Sequence, residues 1–161
     1  MRFVLDATVG EFVALHASCR DACVPVQEVV ELANEITPEA IDVAMGLGQL
    51  SGGQTRALMI ADVACICDSP VVLVDEIENA GINKDAALRV LCDASKLVLV
   101  VTHDPHTALM ARTRIVMANG AVSAVRTRTS AEEGLFDELR QMYERQMALQ
   151  ECVRKGEALT C

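Results

Sequence analysis

Two short, continuous apolar runs constrain the fold of this chain more than any other feature. Residues 71–74 follow a Ser-Pro pair, and residues 97–101 follow a segment, 84–94, whose pattern predicts a helix. A strand that lacks polar alternation is typical of a parallel sheet covered on both faces. The order of strand, helix and strand therefore predicts a βαβ unit within an α/β fold.

Helix signals come before this unit. Thr8 followed by Glu11 is a capping-box pattern that predicts the start of a first helix. Apolar residues at helical spacing predict a second helix over residues 24–36, and Thr-Pro-Glu from Thr37 predicts a third, with proline at its first position. Ser51 is expected to cap a fourth helix that runs to about residue 67.

Signals for further elements follow the second strand. Residues 107–111 are expected to form a short helix, and residues 113–118 and 121–126 two strands. The Asn-Gly pair between these strands is a strong hairpin signal. Residues 130–159 predict one long, highly charged helix with a partial apolar stripe, which we expect to pack on the core or on a partner.

Composition limits the class of protein. A length of 161 residues, 52% of them hydrophobic, is ample for one domain with a buried core. The formal charge of −9 and the lack of Lys or Arg clusters argue against a nucleic-acid partner. No apolar run approaches the roughly 18 residues of a membrane span, and Asp6 comes too early for a secretion signal. A cytoplasmic protein is expected.

The seven cysteines can be interpreted in two ways. His16, Cys19 and Cys23 could line one helical face, and Cys65 and Cys67 form a Cys-x-Cys pair, so a metal or cluster site is conceivable. Free cysteine, however, is among the most buried residue types, and these cysteines lie among small apolar residues. We predict reduced thiols that pack in the core.

Three motifs in one order carry a resemblance to a known family. Residues 50–54 read Leu-Ser-Gly-Gly-Gln, residues 71–76 read Val-Val-Leu-Val-Asp-Glu, and His103 stands in Val-Thr-His-Asp. Together they resemble the signature loop, Walker B strand and switch histidine in the second half of an ATP-binding cassette (ABC) ATPase. Residues 8–15 are also similar to the segment that opens the helical subdomain of that family.

The resemblance covers about residues 6–126 and has implications for the fold. It implies a partial P-loop NTPase fold with a helical subdomain, an incomplete, mainly parallel sheet and a C-terminal helix. Residues 1–49 would form the helical subdomain and residues 50–128 the signature, Walker B and switch portion. Residues 129–161 would form the terminal helix.

The resemblance also implies roles for particular residues, with ATP and Mg²⁺ as the ligands. Asp75 would hold Mg²⁺ directly or through water, Glu76 would act as general base toward the attacking water, and His103 would reach the γ-phosphate. The signature loop would contact ATP held by the opposite subunit, with a helix N-terminus directed at the phosphate. Its residues are Ser51, Gly52, Gly53 and Gln54.

The phosphate loop of such enzymes, G-x-x-x-x-G-K-[ST], does not occur in these 161 residues. The glutamine loop of the family is missing as well, so the chain alone is not expected to hydrolyse ATP. We expect either self-association or a second chain that carries Walker A, with a membrane transporter subunit as a further partner that the resemblance allows. A truncated gene or an expressed fragment would have the same sequence.

Two alternatives stay open. The chain could be a non-catalytic dimerisation or regulatory module derived from an ABC ATPase. It could also be a fragment of an SMC-like ATPase, because residues 75–79 read Asp-Glu-Ile-Glu-Asn and Ile77 replaces the usual proline. The acidic charge and the lack of coiled-coil arms oppose this second alternative.

Overall fold

A computed structural model describes residues 5–159 of the chain. The chain divides into two compact units. The first unit ends at Val101 and the second begins at Thr102. Helices and short sheets of both kinds make up the described chain, which confirms the predicted α/β class. The division into three segments that the resemblance implied stays a prediction.

The first unit contains four helices and a parallel pair of strands among its described residues. The elements are α1 (Val9–Cys19), α2 (Val26–Ile36), a 3₁₀ turn (Leu47–Gln49), α3 (Gly52–Cys65), β1 (Val71–Asp75), a second 3₁₀ turn (Ile77–Ala80), α4 (Lys84–Asp93) and β2 (Leu97–Val101). The predicted order of strand, helix and strand is confirmed.

The capping box predicted at the start of α1 is confirmed. The Glu11 N–H donates to Thr8 Oγ1 over 3.2 Å, and the Thr8 N–H donates to Glu11 Oε2 over 2.8 Å. Next to it, the N–H groups of Val9 and Gly10 donate to the carbonyls of Met45 and Val43. The first turn of α1 therefore holds the loop that leads to α3.

The helix predicted from Thr37 does not form. Thr37 has extended backbone angles and closes α2 through its N–H bond to the Ala33 carbonyl. The Asn34 side chain then donates to the Ile41 carbonyl over 3.0 Å and accepts the Ile41 N–H over 2.7 Å. Because these bonds satisfy the backbone of the segment, it is a fixed loop, and the proline signal was misleading.

The core of the first unit lies among the helices. Its fully buried side chains come from α1, α2, α3 and α4 and from the 3₁₀ turn after β1. They include Val9, Val13, Val29, Val30, Ile36, Leu58, Ile77 and Leu91.

The strands β1 and β2 pair in parallel, from Val71 opposite Leu97 to Asp75 opposite Val101. We predicted that both faces of these strands would be buried, and this is wrong for the described chain. Alternate residues of both strands are exposed, and the Leu73 side chain is 77% exposed. No other described residue range pairs with the outer edges of this two-stranded sheet.

The second unit contains α5 (Pro105–Met110), the antiparallel strands β3 (Thr113–Ala118) and β4 (Ala121–Thr127), and α6 (Ser130–Arg154). Asn119 and Gly120 both have positive φ, as a two-residue hairpin turn of the I′ type requires. The predicted hairpin is confirmed, and the long helix ends five residues earlier than expected.

Packing of α6 on α5 depends on a buried imidazole. The His106 ring stacks against Phe136 at 5.4 Å and against Tyr143 at 5.1 Å between ring centroids. The two aromatic residues are seven positions apart and thus lie on one face of α6. The expectation that α6 packs on another element is confirmed within this unit.

The six described cysteines do not pack in the core as predicted, and Cys161 lies outside the described residues. Cys19, Cys23 and Cys92 are exposed, and Cys65, Cys67 and Cys152 are half-buried. The described residues contain no cluster of three or more His, Cys, Asp or Glu side chains that could hold a metal ion. Within the same residues, no helix is long and apolar enough to cross a membrane.

Candidate functional site

The N-terminus of α3 carries a second capping box, which the motif at residues 50–54 builds from its own side chains. Ser51 Oγ accepts the Gln54 N–H over 3.2 Å, and Gln54 Oε1 accepts the Ser51 N–H over 2.9 Å. Gln54 Nε2 also donates to the Ala40 carbonyl over 2.9 Å, and this residue is only 8% exposed. Gln54 therefore fixes the loop, and its expected contact with ligand stays a prediction.

Gly52 leaves the first turn of α3 open. A Cβ added at this position would meet no atom within 4 Å, and the residue is exposed. The first N–H groups of a helix have no intrahelical acceptor and bear a partial positive charge. Gly52 and its half-buried neighbour Gly53 thus provide backbone that a phosphate can approach closely.

The hydroxyl of Ser51 has a partner that the sequence did not indicate. Ser51 Oγ donates to Glu39 Oε2 over 2.6 Å. Glu39 lies in the loop that replaces the predicted third helix, twelve positions before Ser51. A carboxylate thus stands beside the cap of α3, and its identification required the path of the loop.

Asp75 and Glu76 lie at the carboxyl end of the parallel strands, the edge at which ligands of α/β folds bind. Both residues are exposed. An exposed carboxylate at this edge fits Mg²⁺, which prefers oxygen ligands and usually keeps bonds to water and substrate phosphate. Asp75 is the described residue of this edge that would hold the ion, with phosphate oxygens completing its coordination.

Glu76 has a strained backbone. Its φ of 47° and ψ of 54° lie in the left-handed region, which costs a non-glycine residue about 1–2 kcal/mol. Strain of this kind persists only where surrounding contacts fix the backbone. Hydrogen bonds fix the peptide groups on both sides of Glu76. The Glu76 N–H donates to the Val101 carbonyl over 3.1 Å, and Arg56 Nη1 donates to the Glu76 carbonyl over 3.2 Å.

Arg56 is a residue that sequence reasoning missed. It lies on α3, two positions after Gln54, and reaches the strand end through the Glu76 carbonyl. The helix that begins with the signature motif and the turn that carries the Asp-Glu pair are therefore joined by one side chain. The available signal was that Arg56 is the one basic residue of α3.

The segment after Glu76 leads directly into α4. Ile77 is fully buried, and Gly81 has a positive φ of 66°. Asn83 then caps α4, because its side-chain oxygen accepts the N–H groups of Asp85 and Ala86 at 3.1 Å each. Asn83 therefore has a capping role.

His103 belongs to the second unit, whereas Ser51, Asp75 and Glu76 belong to the first. It is exposed and lies in the short connection between β2 and α5. Next to it, Asp104 caps α5 by accepting the Thr107 N–H over 2.8 Å and the Thr107 hydroxyl over 2.7 Å. The histidine thus stands immediately before a fixed helix start.

A contact between an imidazole and a buried carboxylate ties α1 to α3. Asp62 is 2% exposed, and its two carboxylate oxygens lie 2.8 and 2.9 Å from His16 Nδ1. A buried carboxylate is costly unless it is paired, so His16 has a structural role. We had left His16 without a role, because the contact joins residues 46 positions apart.

The pKa values of Glu11, Glu132 and Cys65 are shifted from their ordinary values. The backbone N–H of Thr8 lowers the pKa of Glu11, and that of Thr129 lowers the pKa of Glu132, aided by the Arg114 side chain. Burial raises the pKa of the Cys65 thiol, and the charges of Glu28 and Asp62 add to this shift. The raised pKa favours the protonated form of this thiol.

Comparisons with known proteins gave relatives that are named as ATP-binding proteins of transport or export. No protein-family model matches the chain. An uncharacterized ABC transporter ATP-binding protein of Methanocaldococcus jannaschii is 48% identical over 162 residues, which cover 99% of the chain and 62% of that relative. The macrolide export ATP-binding/permease protein MacB of Photorhabdus laumondii subsp. laumondii is 36% identical over 81 residues, covering 47% of the chain and 12% of that protein. The chain spans about three fifths of the length of the first relative.

Proposed function

We propose that this chain is part of an ABC ATPase and that it supplies the signature loop, Walker B and switch elements of a composite ATP site. The phosphate loop of that site would come from a polypeptide segment outside these 161 residues. A second chain that carries Walker A is the simplest source, and a second copy of a longer product of the same gene is another.

The observation that carries the proposal is the uncovered β1–β2 sheet. Leu73, Leu97 and Val101 are more than half exposed along the register of this pair. Apolar strands with open edges associate readily with further strands. In a P-loop fold the strand that precedes the phosphate loop belongs to this same parallel sheet, so the exposed face is where the missing portion would pack.

Each site residue has a proposed task. The Asp75 carboxylate would hold Mg²⁺, which neutralises phosphate charge when it is bound. The Glu76 carboxylate would accept a proton from the attacking water, because a base within hydrogen-bond reach increases its nucleophilicity. His103 would help to hold that water and the γ-phosphate. Ser51 and the N–H groups of Gly52 and Gly53 would donate to phosphate oxygens across the interface.

The partners follow from this assignment. An ATP-binding subunit of this family drives a second component, and both relatives are named for transport or export. We therefore propose a cytoplasmic ATP-binding subunit that assembles with a membrane transporter subunit. The described surface carries no feature that selects a transported substrate.

Nucleotide binding tests the proposal. The chain is captured from its source together with its native partners, and binding of ATP·Mg²⁺ is measured by calorimetry for the chain alone and for the complex. We expect micromolar to millimolar binding by the complex and far weaker binding by the chain alone. A complex that contains Walker A and still binds no ATP·Mg²⁺ contradicts the proposal.

A variant makes the test sharper. Glu76→Gln removes the base but keeps the shape of the side chain, so the complex should bind ATP and accumulate as an undissociated assembly. Glu144→Gln, an equal change on the exposed face of α6, should leave hydrolysis and dissociation unchanged. Equal behaviour of the two variants would mean that Glu76 is not the base.

The second candidate is a non-catalytic module that uses the same sheet face to bind its partner. It is supported by the same sheet face, on which the Leu73 side chain is 77% exposed. In that case the complex forms, Leu73 lies at its interface, and neither Asp75 nor Glu76 affects its stability or its activity.

A further inference from the structure

The Ser51 hydroxyl donates its proton to the Glu39 carboxylate. On the basis of the proposed function, we propose that Glu39 competes with the phosphate of ATP for the Ser51 hydroxyl, and so weakens the engagement of the signature loop. Glu39 is then a regulatory residue of the composite site, and release of Ser51 from Glu39 is part of nucleotide docking.

The argument begins with the single proton of a hydroxyl group. Ser51 Oγ accepts the Gln54 N–H over 3.2 Å, which completes the cap of α3. Its proton is donated to Glu39 Oε2 over 2.6 Å, a distance typical of a strong bond to a carboxylate. A serine hydroxyl has one proton, so Ser51 cannot donate to a phosphate oxygen while this bond persists.

The loop holds Glu39 in this place. Gln54 Nε2 donates to the carbonyl of Ala40, which follows Glu39, and the Glu39 N–H donates to Thr37 Oγ1 over 3.3 Å. The Asn34 amide bonds both backbone groups of Ile41. The backbone around Glu39 is therefore fixed on both sides, and the contact with Ser51 forms without a large loss of loop entropy.

The side chain of Glu39 can nevertheless leave. Glu39 is exposed, and its carboxylate has no part in the core of the first unit. Rotation about its side-chain bonds would free Ser51 and leave the Gln54 capping bonds unchanged. The carboxylate also adds negative charge beside the first turn of α3, which repels an approaching phosphate. Both effects act in the same direction, against nucleotide engagement.

The test compares nucleotide affinities in the complex of the full chain with its Walker A-bearing partner. The probe is ATP·Mg²⁺ with the Glu76→Gln change in every protein, so that hydrolysis does not interfere. Glu39→Ala should tighten ATP binding about tenfold, which corresponds to roughly 1.4 kcal/mol. Glu39→Gln, which loses the charge and keeps an acceptor, should give a smaller gain.

Two controls separate competition from a general effect of charge or fold. Glu35→Gln, an exposed position on α2 four residues before Glu39, should leave the affinity unchanged. In a Ser51→Ala background, Glu39→Ala should lose most of its gain, because the contested proton is gone. Thermal unfolding of the free Glu39 and Glu35 variants should differ little from that of the parent, since both residues are exposed. Ser51→Ala loses the cap of α3, so the double variant is compared with Ser51→Ala alone.

The outcomes distinguish this inference from the proposed function. ATP binding by the parent with unchanged or weaker binding by Glu39→Ala overturns the inference and leaves the proposed function intact. An equal gain in the Ser51→Ala background also overturns it, because the effect would then be one of charge alone. No ATP binding by the parent or by any variant overturns both.

Discussion

Arg56 donates a hydrogen bond across 3.2 Å to the backbone carbonyl of Glu76, the residue with a left-handed backbone at the end of β1. The donor lies on the helix that begins with the signature motif, and the acceptor belongs to the Asp-Glu pair. This contact connects the two motifs within the first unit through one side chain. Movement of α3 would therefore displace the peptide group of Glu76, the proposed base.

Replacement of Arg56 tests this connection. Arg56→Ala should reduce the ATPase rate of the assembled complex about tenfold, if the lost bond misplaces the Glu76 carboxylate by the equivalent of about 1.4 kcal/mol. ATP affinity should change much less, because Arg56 does not contact the proposed ligand positions. Rates and affinities are measured in parallel, with Arg89→Ala on the exposed face of α4 as control. A loss of affinity equal to the loss of rate would assign Arg56 to binding.

Strain at Glu76 leads to a prediction about stability. Glycine adopts positive φ without steric cost, so Glu76→Gly should raise the free energy of unfolding by about 0.5–1 kcal/mol while abolishing hydrolysis. Denaturant unfolding of the full chain measures the first effect. Asp21→Gly is the matched control, since Asp21 also has a positive φ, of 51°, and lies far from the motifs in sequence. It should stabilise the chain equally and leave hydrolysis intact.

Exposure of the β1–β2 face leads to a prediction about association. Leu73→Ser removes the most exposed leucine of that face and should lower both self-association and capture of the Walker A-bearing partner. Leu15→Ser is a matched control, because Leu15 on α1 is 55% exposed and lies outside the sheet. Sedimentation and pull-down measure the two effects. If Leu15→Ser disrupts assembly as strongly as Leu73→Ser does, the interface lies elsewhere.

Titration of Glu11 leads to a prediction about acid stability. Its pKa is lowered in the folded chain by the Thr8 N–H, so the charged form stabilises the fold above the pKa of the unfolded chain. That contribution is lost as the pH falls through the lowered pKa. Glu11→Gln should therefore flatten the acid limb of the thermal-unfolding midpoint against pH. Glu31→Gln, on the exposed face of α2, should retain the slope of the parent.

Local signals predicted the elements that depend on neighbouring residues. The capping box at Thr8, the cap at Ser51, both parallel strands and the Asn-Gly hairpin all formed where the sequence placed them. Each depends on side chains within about four residues or on an apolar run, and such patterns are visible in one chain. The helix expected from Thr37 failed because Asn34, outside the pattern, supplied the loop with competing hydrogen bonds.

Contacts between distant residues were beyond the reach of pattern reasoning. Glu39 meets Ser51, Arg56 meets Glu76, and His16 meets Asp62 only because loops and helices return to one another. No spacing rule relates residues 12, 20 or 46 positions apart in a chain of this kind. The candidate site thus had its motif residues predicted and their partners missed.

The chain's own motifs and apolar runs are enough to specify its class, its capped helices and the residues that face a nucleotide in related proteins, because local propensity and spacing are encoded in short stretches. Tertiary structure alone decided that Ser51 is engaged by Glu39 and that Glu76 is strained and held by Arg56. It also decided that the strands, apolar enough to be buried, are left partly uncovered by the described residues. These outcomes depend on which side chains and strand edges meet after folding. Such contacts join residues that are far apart in the sequence, so local patterns do not specify them.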